Sequence, residues 1–133
     1  MKQDFSTKWK SSKQPRKQRK YIYNMPLHLK QKLMSATLDK VFRKKLGRRN
    51  LELRKGDEVK VMRGKLKGKI GKINESNLVK VKVSIEGVTL TKKDGTKVPV
   101  WFHPSNLKII TPNEEDKKRL KTKPKEKENA QKN

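Results

Sequence analysis

Cysteine is absent from this 133-residue chain, and histidine occurs only at His28 and His103. The first absence excludes disulfide frameworks, thiolate zinc sites and cysteine nucleophiles. The second excludes a multi-histidine metal centre. Hydrophobic residues make up 30% of the chain and aromatic residues 5%, against roughly 45–50% apolar in an average globular protein. A core cannot be filled from the whole length, so part of the chain must be peripheral or ordered by a partner. No apolar run approaches the ~18 residues of a membrane span, and the N-terminus carries no apolar signal segment. An intracellular protein is expected. Asp57 and Glu58 are adjacent, so on a strand they would face opposite sides and form no catalytic pair. No enzyme, cofactor, metal or small-molecule substrate is expected.

What the chain has instead is positive charge. Thirty-eight Lys and Arg face 13 Asp and Glu, for a net charge of +25. Self-repulsion at this charge opposes compaction, and a polyanionic partner, nucleic acid or an anionic membrane surface, relieves it. The charge is uneven, with net +14 on residues 1–50, +8 on 51–110 and +3 on 111–133.

These divisions match changes in pattern. Residues 1–24 show no apolar period and are expected to be a basic extended arm, ordered only along a partner. Its cations Lys13, Arg16, Lys17, Arg19 and Lys20 are interleaved with Trp9, Tyr21 and Tyr23. Such aromatics can stack on bases while the cations meet phosphates. Residues 25–50 hold a helical stretch and a linker. Pro26 suits a first helical turn, and Leu29, Leu33, Met34, Leu38, Val41, Phe42 and Leu46 recur at helical spacing. Ser35 and Thr37 favour caps and turns, so one helix or two are equally compatible with this stretch. The opposite face carries Lys30, Lys32, Lys40, Arg43, Lys44 and Lys45, of which Lys30, Arg43 and Lys44 are candidate RNA contacts.

From residue 51 the period becomes two. Val59/Val61, Val79/Val81/Val83, Val88/Leu90 and Val98/Val100 alternate with polar residues, the signature of short half-buried strands. Breakers fall at 64–71, 75–77, 86–87 and 103–106, and Lys93-Asp94-Gly95-Thr96 is a hairpin turn. The fold class is therefore mainly β, a small barrel over residues 51–110 with one or two short helices before it. Barrel closure would protect the strand edges. Residues 111–133 form a charged tail with no assigned chemistry.

The most informative stretch is Lys55 to Ile73. A turn at Gly56-Asp57 feeds a strand, then the loop Arg63-Gly64-Lys65-Leu66-Lys67-Gly68-Lys69, then a second strand. Asp57 anchors the turn through its side chain. The glycines are expected to expose amide N–H groups beside the rim cations Arg63, Lys65, Lys67 and Lys69, an arrangement suited to phosphate oxygens. His103, before Pro104, reads as a turn or RNA hydrogen-bonding residue rather than a catalyst.

This spacing resembles the KOW motif of SH3-like barrels in ribosomal and transcription-elongation proteins. With SSKQPRKQRK, PLHLKQKLMSATLDKVFRKKLGRRNLELRKGDEVKVMRG and VPVWFHPSNLKI in order, the chain resembles the large-subunit ribosomal protein of the universal KOW family numbered twenty-four, in its archaeal and eukaryotic form. The resemblance spans about residues 11–110. It implies binding to large-subunit ribosomal RNA near the exit-tunnel rim, beside neighbouring ribosomal proteins in the cytoplasm and with no membrane partner, and a part in early subunit assembly. It places contacts on Lys13, Arg16, Lys17, Arg19 and Lys20. It also implies contacts at the linker residues Arg48, Arg49, Arg54 and Lys55, the KOW loop with Gly64 and Gly68, and the turn at His103 and Ser105. Glu52 departs from the basic linker pattern. Two other readings use the same barrel, a transcription-elongation regulator and a chromatin-type nucleic-acid coat. The first needs a preceding α/β domain that residues 1–50 cannot form, and the second needs no aromatic-studded arm.

Overall fold

A computed structural model describes residues 5–6, 8–9, 11–116 and 118–120. Of the described residues 35% lie in strands and 24% in helices. The helices are α1 (Pro15–Asn24), α2 (Leu27–Leu33) and α3 (Lys40–Leu46). The strands are β1 (Ser35–Leu38), β2 (Asn50–Glu52), β3 (Glu58–Val61), β4 (Ile70–Asn77), β5 (Lys82–Thr91), β6 (Lys97–Phe102) and β7 (Leu107–Thr111). They make one sheet in the order β2-β1-β7-β3-β4-β5-β6. The fold is mainly β and of the SH3-like, KOW kind.

Period-two alternation is realised most cleanly at the sheet centre. Val59 and Val61 of β3 and Leu107 and Ile109 of β7 point inward and are all but inaccessible to solvent. They join Leu38, Leu51, Ile73, Val83, Ile85 and Phe102 in one core, so all seven strands curl around a single interior. The hydrogen-bonded order is linear, with β2 and β6 at its ends, so the barrel is open and the expected protection of the edges by closure is not realised among the described residues. Those ends are blunted by brevity at β2, which has three residues, and by Pro99 on β6.

Three local readings are corrected. The Ser35–Leu38 break between helices is a strand, pairing antiparallel with β2 and parallel with β7. Its Ala36 and Leu38 alternate with Ser35 and Thr37, and their burial against β7 outweighs continuation of the helical period. Val41, placed on the apolar helical stripe, is exposed in consequence, whereas Leu46 is buried. Second, Glu75-Ser76-Asn77 and Glu86-Gly87 interrupt no strand. The former lies inside β4, and the latter sits in a bulge where five residue steps along β5 oppose two along β6. Third, Val81 precedes β5 in a turn, at φ 52, a left-handed conformation costly for a β-branched residue. Burial of its side chain in the core compensates that strain.

Gly71 marks where two backbones come closest. A Cβ there would lie 2.7 Å from Ile85 Cγ2 and 3.0 Å from the Glu86 carbonyl oxygen. Only glycine lets β4 pass the β5 bulge at that separation.

Candidate nucleic-acid interface

The arm differs from its expected extended form. Residues 15–24 form α1, with Pro15 pre-setting the first turn and Arg16, Lys17, Gln18, Arg19 and Lys20 all strong helix formers. The scarcity of apolar residues conceals this, because α1 buries no residue. Arg16, Lys17, Arg19 and Lys20 are exposed, as is Lys13 before the helix. Tyr21 stacks within the chain, its ring centroid 4.4 Å from Trp9 and 5.0 Å from Phe5. Tyr23 remains exposed. Two aromatics expected to face bases therefore seat the N-terminal segment against α1.

The loop between β3 and β4 holds Gly64 and Gly68 at φ 89 and 91, conformations that favour glycine. Its amides are not an open cradle. Lys67 N–H donates to Gly64 O, Gly68 N–H to Val61 O and Lys69 N–H to Leu66 O. These bonds take up three of the loop amides, so the expected donors narrow to those of Gly64, Lys65 and Leu66, which make no backbone bond. Leu66 packs against the core and fixes the loop from inside. Arg63, Lys65, Lys67 and Lys69 stand exposed on its rim. The loop is thus a rigid platform for four cationic side chains.

The other expected contacts divide. Arg49, Lys44 and Lys55 are exposed. Arg43 is half-buried and its Nε donates to Leu38 O at 2.7 Å, closing the β1–α3 junction. Arg54 is exposed and pairs with Asp116. Lys30 is a correction, because it is buried and its Nζ lies 3.4 Å from the Val79 carbonyl oxygen. The amphipathic face seats that ammonium against the turn before β5 and withholds it from a polyanion. His103 Nδ1 accepts from the Ser105 amide at 3.3 Å and lies 2.8 Å from Ser105 Oγ. This caps the short 3-10 turn Pro104–Asn106 and, in the neutral imidazole, puts the ring proton on Nε2. Both residues are exposed, but Ser105 is engaged by the imidazole.

Asp57 anchors its turn as expected, with Oδ2 accepting from Arg54 N–H at 2.8 Å. It does more than the sequence suggests. It is fully buried, accepts from Asn113 N–H at 2.8 Å, and holds Arg119 through two bonds of 2.9 and 2.6 Å. That bidentate pair draws residues 112–120 back onto the barrel, where Leu120 packs against the core. Around it, Lys32, Arg48, Arg54, Lys118 and Arg119 line a cavity of about 590 Å³, with Asp116 and Glu52. Asp116 accepts from the Arg119 and Lys118 amides. The Arg119 amide, with the Arg54 charge beside it, holds the Asp116 carboxyl below the usual range. Glu52, half-buried on β2, is a cavity wall.

Sequence reasoning put Lys32 on the basic helix face without a contact role, and it missed Lys118 and Arg119. One signal was available for the last. Arg119 is the only arginine after Arg63, in a segment otherwise rich in lysine. Arginine in place of lysine indicates planar, two-pronged carboxylate recognition.

Among the described residues three ion pairs form, Arg54–Asp116, Lys108–Asp39 and Arg119–Asp57. None involves α1 or the β3–β4 loop. The exposed cations of α1 and the loop are therefore unpaired among these residues, and Asp39, Asp57 and Asp116 are engaged elsewhere in the fold. This is the footprint of a surface that meets a polyanion. The family model of the ribosomal proteins called L26 in eukaryotes and L24 in archaea matches residues 12–123, which includes α1, the whole sheet and the returning C-terminal segment. With the match extending over most of its length, the chain belongs to this ribosomal protein family, a non-enzymatic structural component of the large ribosomal subunit.

Proposed function

We propose that the chain binds large-subunit ribosomal RNA near the exit-tunnel rim, beside neighbouring ribosomal proteins, and supports early assembly of the subunit. The tunnel-rim position and the assembly role come from the resemblance of its motifs to the family. The single observation that carries RNA binding is α1, a helix that buries nothing yet presents Arg16, Lys17, Arg19 and Lys20 to solvent. Isolated helices of ten residues are marginal in water, so α1 gains most of its stability from what it meets.

The mechanism is shape-directed phosphate neutralisation. The β3–β4 loop offers Arg63, Lys65, Lys67 and Lys69 from a fixed platform, while α1, Arg49 and Lys55 add further point charges. Lysine outnumbers arginine by 30 to 8, which suits phosphate contact more than base readout. A-form RNA presents a phosphate surface and a wide shallow groove that such a platform can follow.

The test is the salt dependence of affinity for a large-subunit ribosomal RNA fragment, with duplex DNA as competitor. Neutralising ~10 phosphates predicts a log–log slope of about −7 to −9. A slope near zero refutes the reading, and preference for duplex DNA defeats it in favour of a chromatin-type protein.

A further inference from the structure

The cavity between α2, β2 and the 112–120 segment has properties of its own. Three cations lining it, Lys32, Arg48 and Lys118, have no acidic partner among the described residues. Against them stands one uncommitted carboxylate, Glu52, since Asp116 is paired with Arg54. The Nε atoms of Arg48 and Arg119 are buried and have no hydrogen-bond partner. The Arg119 side chain is only 4% exposed. Buried guanidinium donors without acceptors are strongly disfavoured, because their hydration is lost and nothing replaces it. An anion with several oxygens in the cavity balances the excess charge, and a small rotation of the two guanidinium groups brings their Nε–H donors to its oxygens.

We propose that this cavity is a phosphate-binding site, and that it is complete only when residues 112–120 are docked. Three of its lining residues, Asp116, Lys118 and Arg119, come from that segment. Arg48 links the walls, because its Nη1 lies 3.4 Å from the Arg119 carbonyl oxygen. Asp57 positions Arg119 through the two Nη atoms and leaves Nε free for a further acceptor. Phosphate binding and docking of the segment are consequently coupled, each favouring the other. The phosphate belongs either to an RNA backbone or to a free anion, and the RNA source rests on the function proposed above.

The experiment uses the full chain labelled with ¹⁵N. Inorganic phosphate replaces chloride at constant ionic strength, and the arginine Nε–Hε signals are followed by NMR. The Arg48 and Arg119 signals are expected to shift and saturate, while those of Arg16, Arg19 and Arg63 stay in place. Lys32→Gln with Lys118→Gln, two exposed positions, should weaken the phosphate response by roughly three- to tenfold, as for loss of charge-assisted bonds at a partly wet site. Equal drift of all the arginine signals, or no saturation, overturns the proposal. A second arm identifies the source. If the phosphate is RNA's, the double variant lowers the magnitude of the salt slope for the ribosomal RNA fragment by about one to two. If it is a free anion, the slope is unchanged and the phosphate titration persists in the RNA complex. Either outcome of this arm supports the cavity as a phosphate site. Failure of the wild-type chain to bind the RNA fragment strikes only the proposed function, and leaves the NMR result to judge the cavity.

Discussion

Arg119→Ala is the most informative single change, because it separates the returning segment from the barrel without touching a strand. Asp57 has no solvent exposure and the Arg119 side chain 4%, so neither charge is screened by water. Breaking one side of a buried pair costs about 3–5 kcal/mol when the other is stranded. Here the carboxylate keeps the Arg54 and Asn113 amides, which moderates the loss. Two remaining charge-assisted bonds at roughly 1.5–3 kcal/mol each place the cost of Arg119→Ala lower, at about 2–3 kcal/mol. Asp57→Ala removes the acceptor for both amides as well, and about 3–5 kcal/mol is expected. In that variant Arg119 lies on a turn and can rotate into water, so the double variant should be little worse than Asp57→Ala alone. The two single changes then couple by about 1.5–3 kcal/mol in a double-mutant cycle. Urea unfolding of the RNA-free protein measures this, with the slope of the transition reporting any change in surface exposed. Arg119→Lys should fail to restore stability, since an ammonium cannot make the two-pronged contact. A cost below about 0.5 kcal/mol for Arg119→Ala, the range of ordinary surface changes, would refute the clasp.

Gly71→Ala should destabilise by about 1–3 kcal/mol through overpacking against Ile85 and the Glu86 carbonyl, read as a lowered Tm; an unchanged Tm would mean that β4 and β5 separate freely. Asp116 and Asp39 are held below the usual carboxylate range, the first chiefly by the Arg119 amide and the second chiefly by its hydrogen bond to Lys108. A folded pKa below the unfolded one gives stability that is full above the unfolded value of about 3.9 and is lost as pH falls through the folded value. Thermal scans from pH 5 downward should show that loss, and Asp39→Asn with Asp116→Asn should flatten it; a parallel profile in the double variant would contradict the assignment. Replacing Lys65, Lys67 and Lys69 together by Gln should reduce the magnitude of the RNA salt slope by about 2–3. It should shift unfolding free energy by no more than about 0.5 kcal/mol; a larger loss of stability would make the loop lysines part of the fold.

The strands were legible where side-chain period and burial agree. Val59 and Val61 alternate with Glu58 and Lys60, and the Asp94-Gly95 turn closes as its residues dictate, with the Thr96 amide on Asp94 Oδ1. Legibility failed where tertiary contacts override local pattern. Ser35–Leu38 sits within an apolar period of three and four, yet its alternation of two serves the edge of β7, a partner some seventy residues away. The same holds for Lys30, whose charge suggested the surface until the turn before β5 covered it. Helix α1 failed in the opposite sense, since its residues are good helix formers but composition argued for an extended chain. Within the candidate site, the exposed cations of α1 and the β3–β4 loop followed from sequence. The cavity did not, because Lys32, Arg48 and Arg119 converge only through the fold.

The placement of the scarce carboxylates links these observations. In a chain of net charge +25, an acid on the binding surface weakens attraction to a polyanion, while an acid in the interior of a charge network stabilises the fold. Each of the three ion pairs joins segments more than sixty residues apart, Arg54 to Asp116, Asp39 to Lys108 and Asp57 to Arg119. All therefore close long loops, where cross-linking restrains the chain most. Two of the three tie down the 112–120 segment, and Asp39 ties the start of α3 to β7. The paired carboxylates thus fasten the 112–120 segment and the start of α3 to the sheet, and they leave the cations of α1 and the β3–β4 loop uncompensated. Low apolar content and high positive charge are consistent with a stable fold under this division, because burial by the strands and ion pairing at the periphery act on different residues from the α1 and loop cations proposed to meet RNA.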